Sequence, residues 1–425
     1  MKKLIAIAIV FALIAGVAFA DTAIAGTIET RFTLIDGINN PEDARNPKTY
    51  GTVGSAWIQM SGSNDTNTVG ALWRFRNQDL FNTNGGNAAG GWFHRAFIWW
   101  KPISQFRVFL GIDNDGMYSS GDALTDWAFH QGPENYYAVH DWGFWRKIFP
   151  GHWDGFGLSL SGFIPIPLAW LDNVNVNLTI PTGGTGWPQG TPTNVSNQML
   201  ADHLYPAGLK VQTNVNFPDI GKLFVTYDGP GVGDNAGADF REITPEEGNG
   251  GFMGVSFLVE ALKFIGLRVQ PGVSFTLWGP DAPKKDFNVG LGVHGVWGNF
   301  GLKVRGAASI TTDTSGDKDV VEAIITANIM PWYKLSFMTV YCDLGMIIGS
   351  TDAERTDANK NDGFCFWINP YVKVPLGGAA LEGGLLVNTT NLNWDNYMAS
   401  APLTAKDSDP TPIRYRIPIR LVFSF

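Results

Sequence analysis

The stretch IRYRIPIRLVFSF, residues 413–425, alternates strictly up to Phe425. A β-strand turns successive side chains to opposite faces. One face of this strand therefore carries Ile413, Tyr415, Ile417, Ile419, Leu421, Phe423 and Phe425, all apolar. The other carries Arg414, Arg416 and Arg420 beside Pro418, Val422 and Ser424. Two architectures suit such a strand. A soluble sandwich buries the apolar face and wets the other. A membrane barrel gives the apolar face to lipid and the arginines to a water-filled lumen. The rest of the chain decides between them.

The beginning of the chain has the form of an export signal, residues 1–20. Lys2 and Lys3 precede the apolar run LIAIAIVFALIAGVAF, and Ala18-Phe19-Ala20 has the A-x-A form of a cleavage site. The alternative, a retained anchor, is disfavoured because the run is short for a span and ends in small residues. Removal of those two lysines takes the formal charge from −9 to −11. An acidic chain argues against nucleic acid as a partner, which requires a basic footprint. Charged residues make up 16% of the chain, while glycine (51) and phenylalanine (28) are abundant, and soluble domains carry about 25% charge. No later apolar run is long enough for a membrane helix. An exported chain of this kind folds as a soluble β-protein or closes into a barrel that satisfies its own backbone.

Alternating segments recur from residue 25 to residue 425, as in NVNVNLTI (173–180) and NFGLKVRGAASI (299–310). Helical periodicity is convincing nowhere after residue 20. About eighteen strands are expected, within a 16–18 range. The links sort by parity. Short ones (SGSNDTN, KPIS, PLAWLD, FPDIG, EALKF, WGN, MPW, PLGG) follow even-numbered strands. Long ones, at 36–49, 78–91, 114–154, 181–205, 229–250, 278–285, 311–318, 346–362 and 390–411, follow odd-numbered strands. A soluble sandwich has no reason to sort its loops in this way, whereas membrane barrels have short turns at one end and long loops at the other. Aromatic clusters also gather at the short links (FIWWKPISQF, NFPDIGKLF, GVWGNFG, MPWYKLSF). Such rings suit a girdle at a membrane–water interface.

With these features on the page, the whole of 21–425 resembles the bacterial outer-membrane porins. The final strand ending in Phe425 is similar to their C-terminal signal. The strand number resembles the sugar-porin and specific-channel groups more than smaller barrels, although no internal substrate motif accompanies it. The resemblance implies an all-β, antiparallel up-and-down barrel in the outer membrane of a Gram-negative-type bacterium. It further implies insertion by the barrel-assembly machinery through the last strand, and often a homotrimer. In this class the third outer loop commonly folds into the mouth and narrows the pore. Here that loop, 114–154, carries Trp127, Tyr136, Tyr137, Trp142 and Trp145 among its aromatics. They could equally form a self-packed cap, since so much apolar surface must be buried somewhere. A sharper variant is an aromatic track for carbohydrate.

Reaction chemistry is not expected. GLGVHG (290–295) matches a dinucleotide fingerprint in letters only, because both flanks continue a strand and no helix opens after it. Small residues on a crowded or lumen-facing strand explain it better. DNDG (113–116) and DANKNDG (357–363) lack the acidic residue that completes a calcium loop, and they suit turns. His130, His140 and His152 share the third loop with Asp141 and Asp154, at spacings that fit no metal site. The chain has no G-x-S-x-G. No cofactor, metal or enzymatic role is therefore anticipated.

Alternation places Arg31, Arg74, Arg76, Arg107, Arg268, Lys303, Arg305, Lys334, Lys373, Arg414, Arg416 and Arg420 on the lumen face, with Lys210 and Lys222. Glu29, Asp113, Asp228, Glu260, Glu322 and Glu382 are the acids expected there. The expected function is passive diffusion of small hydrophilic solutes with a moderate anion preference. The alternatives are a substrate-selective channel, for carbohydrate for example, or a structural or adhesive barrel with a blocked lumen. Two finer expectations follow from the same facing. Cys342 and Cys365 both point inward on one hairpin, close enough for a disulfide. Ile419→Lys impairs assembly, whereas Arg420→Ala leaves folding intact.

Overall fold

The computed structural model describes residues 21–39, 48–77, 92–113, 156–168, 170–181, 210–228, 252–276, 284–313, 320–351, 363–389 and 413–425. The strands are β1 (Asp21–Asn39), β2 (Lys48–Ser63), β3 (Val69–Asn77), β4 (Trp92–Ile103), β5 (Phe106–Asp113) and β6 (Phe156–Leu168). Next come β7 (Leu171–Pro181), β8 (Lys210–Phe217), β9 (Gly221–Asp228), β10 (Phe252–Val259), β11 (Leu267–Thr276) and β12 (Lys284–Trp297). The last are β13 (Phe300–Asp313), β14 (Val320–Lys334), β15 (Thr339–Thr351), β16 (Gly363–Leu376), β17 (Ala379–Gly384), β18 (Leu386–Thr389) and β19 (Ile413–Ser424). Each strand pairs antiparallel with its chain neighbour except that β17 and β18 do not pair with each other, and β1 also pairs with β19. The sheet therefore closes on itself and has no edge.

The segments β17 and β18 are one stave. Both pair with β16 on one side and β19 on the other, in continuous register. The break at Leu385 has a local cause. The register sets Pro418 of β19 opposite Gly384 and Pro370 of β16 opposite Leu385. Proline has no N–H to give to a ladder. Leu385 still donates to the Pro370 carbonyl at 3.0 Å, but nothing is returned. Counted as staves, the barrel is eighteen-stranded, an even number with both chain ends on one side, as the alternation predicted.

All the described turns lie at that same end. They join β2–β3, β4–β5, β6–β7, β8–β9, β10–β11, β12–β13, β14–β15 and β16–β17. The β10–β11 turn includes a one-turn 3-10 helix, Lys263–Ile265, closed by Gly266 in the left-handed region at φ 75°. Aromatic rings ring this end. Trp170 stacks on Phe217 at 6.5 Å, Trp297 stacks on Phe300 at 5.9 Å, and Trp297 Nε1 donates to the Ile265 carbonyl at 2.8 Å. Phe264 and Phe337 stand out from it, 84% and 62% exposed. Phe425 closes the girdle. Its N–H and C=O each bond Gly26 at 3.0 Å, and its ring lies where a Gly26 Cβ would stand.

The outer face is apolar along its height. Ile24, Ile98, Leu110, Leu291, Ile310, Ile325, Phe366 and Leu421 are all exposed there. On β13 the inward partners of that face, Lys303, Arg305, Ala307 and Ser309, are buried. Soluble monomers rarely expose a continuous apolar band of this kind.

One sequence-based expectation falls here. Cys342 lies opposite Pro370 and Cys365 opposite Ile347, five rungs apart on the β15–β16 ladder. That separates them by about 17 Å at 3.4 Å per residue, far beyond disulfide reach. Cys342 is a free thiol. The expectation placed the centre of the hairpin near residues 353–355. Cys342 opposite Pro370 centres it on 356, and this shift also reverses the facing of Cys342. Tyr341 stacks on the buried Tyr371 at 4.7 Å and Asp343 is buried, so Tyr341 and Asp343 share the inner face and Cys342 takes the outer one.

Candidate functional site

The alternation that covers the outside with apolar groups leaves the inner wall polar, and the wall divides into four arcs. On β2–β5 it is built of arginine against aromatic rings. Arg74 donates from Nε and Nη2 to Gln59 Oε1 at 3.0 and 2.7 Å, with its guanidinium 4.4 Å from the Trp57 ring centre. Arg107 lies 4.5 Å from Trp99 and 5.5 Å from Phe109, and Phe109 meets Phe97 edge-on at 5.4 Å. Guanidinium planes stack well on rings while their edges stay available for hydrogen bonds.

The β7–β9 arc carries the amides Asn173, Asn214 and Asn216. Successive rungs pair Asn173 with Asn216, Asn175 with Asn214 and Asn177 with Gln212, and Lys222 follows opposite Asn216. The β10–β13 arc mixes short hydroxyl and amide groups with cations. Gln270 donates to Ser256 at 3.1 Å, Asn288 to Ser274 at 3.2 Å and Ser309 to Asn288 at 2.6 Å. Arg268, His294 and Lys303 share one row, with Arg305 on the next inward position of β13.

The β14–β19 arc, continued by β1, holds the acids. Asn328 donates to Asp343, and Tyr371 reaches Met330 Sδ at 3.7 Å. Arg420 bridges two carboxylates, Glu29 of β1 at 2.7 Å and Glu382 of β17 at 3.0 Å. Lys373 adds a third cation–carboxylate contact to Glu382 at 3.3 Å. Glu382 has no solvent exposure and Arg420 only 15%. Its side chain joins β1 to β17 and β19 across the seam, which argues against the expectation that Arg420→Ala leaves folding intact.

Large inward side chains lie along the wall. The ring of Trp99 covers Gly70, that of Trp332 covers Gly301 and that of Trp367 covers Gly345, each on the facing rung. A Cβ at any of these glycines would overlap the indole. The glycines are slots that keep bulky side chains flat against the strands.

Of the expected lining residues, the inner wall carries Arg74, Arg107, Lys222, Arg268, Lys303, Arg305, Lys334, Lys373, Arg416 and Arg420 in its alternation. Arg31, Arg76 and Arg414 occupy rungs of the same rows, opposite Arg420, Trp57 and Asn388. The third-loop residues Trp127, Tyr136, Tyr137, Trp142 and Trp145 lie outside the described residues. Sequence reasoning missed Asp343, although it carried its own signal: on the outer face it would have been a carboxylate in lipid. Among the described residues no group of His, Cys, Asp and Glu could hold a metal ion.

No family model matches the sequence, and no curated protein matches it. Among solved structures the chain is similar to an anion-selective porin from Comamonas acidovorans, at 12% identity over 95% of this chain and 100% of that one, TM-score 0.49. It is also similar to Salmonella typhi OmpF in complex with daunomycin, at 12% identity over 95% and 97%, TM-score 0.49. A third is OmpT, an outer membrane protein of Vibrio cholerae in a trimer form, at 9% identity over 95% and 99%, TM-score 0.45.

Proposed function

We propose that this chain is an outer-membrane porin, a passive channel for small hydrophilic solutes with a moderate preference for anions. The observation that carries it is the division of the barrel into an apolar outer face and a charged inner one. A closed barrel satisfies every strand without an edge, which lipid requires, and a barrel of this strand number encloses an aqueous lumen. No bond is made or broken. Solutes are sorted by size and by the field of the wall.

Among the described residues the wall cations outnumber its acids, Glu29, Glu260, Asp286, Asp343 and Glu382, with Asp113, Asp228 and Glu322 on rungs of the same rows. Several of those acids are engaged, Glu29 and Glu382 by Arg420 and Glu260 by Arg268 at 3.5 Å. A narrow low-dielectric wall focuses the field of its charges. Further acids, such as Asp234, Glu246, Glu247 and Asp357, belong to the long links of the sequence, and charges in open solvent are screened beyond about 8–10 Å. Purified protein in a planar bilayer tests the reading. Stepwise conductance with an anionic reversal potential in a KCl gradient is expected.

A second reading, a structural barrel with an occluded lumen, is favoured by one feature. Gln270, Asn369 and Glu382 face inward yet have 0% exposure. Absence of conductance from correctly folded, membrane-inserted protein would select it.

A further inference from the structure

Charged and apolar groups meet on the inner wall between β3 and β5. The indole of Trp99 on β4 lies on Gly70 of β3, where a Cβ would overlap it. One face of the ring is therefore given to the strand, and the other looks into the lumen. Two cations stand over that ring. The Arg107 guanidinium carbon is 4.5 Å from its centre and Lys101 Nζ is 5.3 Å from it. With the wall side taken by Gly70, both charges are gathered around one point on the lumen side.

Neither cation is matched by an acid. Among the described residues Arg107 and Lys101 form no ion pair, and the Arg107 guanidinium gives no hydrogen bond. Its contacts are the rings of Trp99 and, at 5.5 Å, Phe109. The two charges act on each other instead, and each side chain keeps part of its surface exposed. Stacking occupies the flat faces of a guanidinium and leaves its edge, a fork of N–H donors, for a ligand.

The ground beside them is apolar, although a barrel interior is ordinarily polar. Leu72 faces Phe97 across one rung, and Trp99 faces Phe109 across the next inward one. Phe97 and Phe109 are 5% and 6% exposed and meet edge-on, so they form a fixed floor. Leu72 and Trp99 remain half-buried.

We propose that Arg107, Lys101 and Trp99 form a binding site for small organic carboxylates that carry an apolar body, of the benzoate kind. The proposal rests on the channel reading and names a solute class for it. The guanidinium edge takes the two carboxylate oxygens in parallel. Lys101, around the same ring, adds a second charge, and the apolar body lies over Leu72 and Trp99. An inorganic anion would satisfy the charges and leave that apolar surface unused. Both cations lie beside the short turn 104–105, so the site stands at the turn end of the lumen.

The test is single-channel recording in KCl at constant ionic strength with benzoate, acetate or inorganic phosphate added. Benzoate should reduce the chloride current saturably, and at lower concentration than acetate or phosphate. Arg107→Lys keeps the charge and loses the fork. It should weaken the benzoate block about tenfold, the worth of one charge-assisted hydrogen bond, while the reversal potential stays as in the wild type. Lys285→Gln, on the outer face of β12, should retain the block. A current indifferent to benzoate, equal block by all three anions, or a block unchanged in Arg107→Lys overturns the site while leaving the channel standing. If Arg107→Lys does not fold, Lys101→Gln takes its place, with the same loss of block expected. If the folded barrel does not conduct at all, the channel reading falls, and the site is judged by thermal unfolding. Benzoate should then raise the Tm of the wild type and of Lys285→Gln but not of Arg107→Lys; equal shifts in all three, or none, overturn it.

Discussion

Arg420 shows how much one side chain carries in a closed sheet. It sits between Glu29 and Glu382, both largely or wholly shielded from water. Arg420→Ala would leave two carboxylates facing each other without the cation between them. Removing one partner of a buried charge set costs about 3–5 kcal/mol, so the variant should unfold at clearly lower urea in detergent than the wild type. Unchanged unfolding would mean that the seam does not depend on this contact. The residue was legible as an inward-facing arginine from alternation alone. Its partner Glu29 was not legible as a partner, because 391 positions separate them in the chain and only closure brings them together. Facing failed where two neighbours gave opposite indications. Tyr341 is amphipathic and tolerates either face, whereas Asp343 does not, and the acid should have decided the strand.

At the scale of the strand, alternation was nearly sufficient. The last strand presents Ile417, Ile419, Leu421 and Phe423 outward and Arg416 and Arg420 inward, as the pattern required. A lysine in place of Ile419 would put charge on the apolar outer face, which in the proposed membrane setting costs about 2–4 kcal/mol near mid-membrane and little at the interfaces. Ile419→Lys is expected to lower the yield of the heat-modifiable folded form, and a normal yield would contradict the facing. The β15–β16 hairpin makes a separate prediction. With its cysteines five rungs apart, thiol titration of unreduced, denatured protein should find two reactive groups per chain. Finding none would mean the register is wrong. The division of one stave at Leu385 could not be read from its own residues, since the cause lies in the prolines of both neighbours.

For the molecule as a whole, loop parity announced the topology and the end at which the turns gather. The proposed anion preference rests on a surplus of inward basic residues that alternation made legible. Replacing Arg74, Arg76, Arg414 and Arg416 together by Gln should move the reversal potential toward cation selectivity while the barrel still forms. Persisting anion preference would assign the selectivity to other charges. The pairing of Gly26 with Phe425 bears on timing. The outer edge of β1 has no partner until β19 arrives, so that edge stays adhesive until then. Contacts this remote in sequence also form slowly, because loop closure must precede any gain from them. The chain cannot complete its fold piecemeal as it is made. The sheet closes in one late event whose last stitch is the pairing of Phe425 with Gly26.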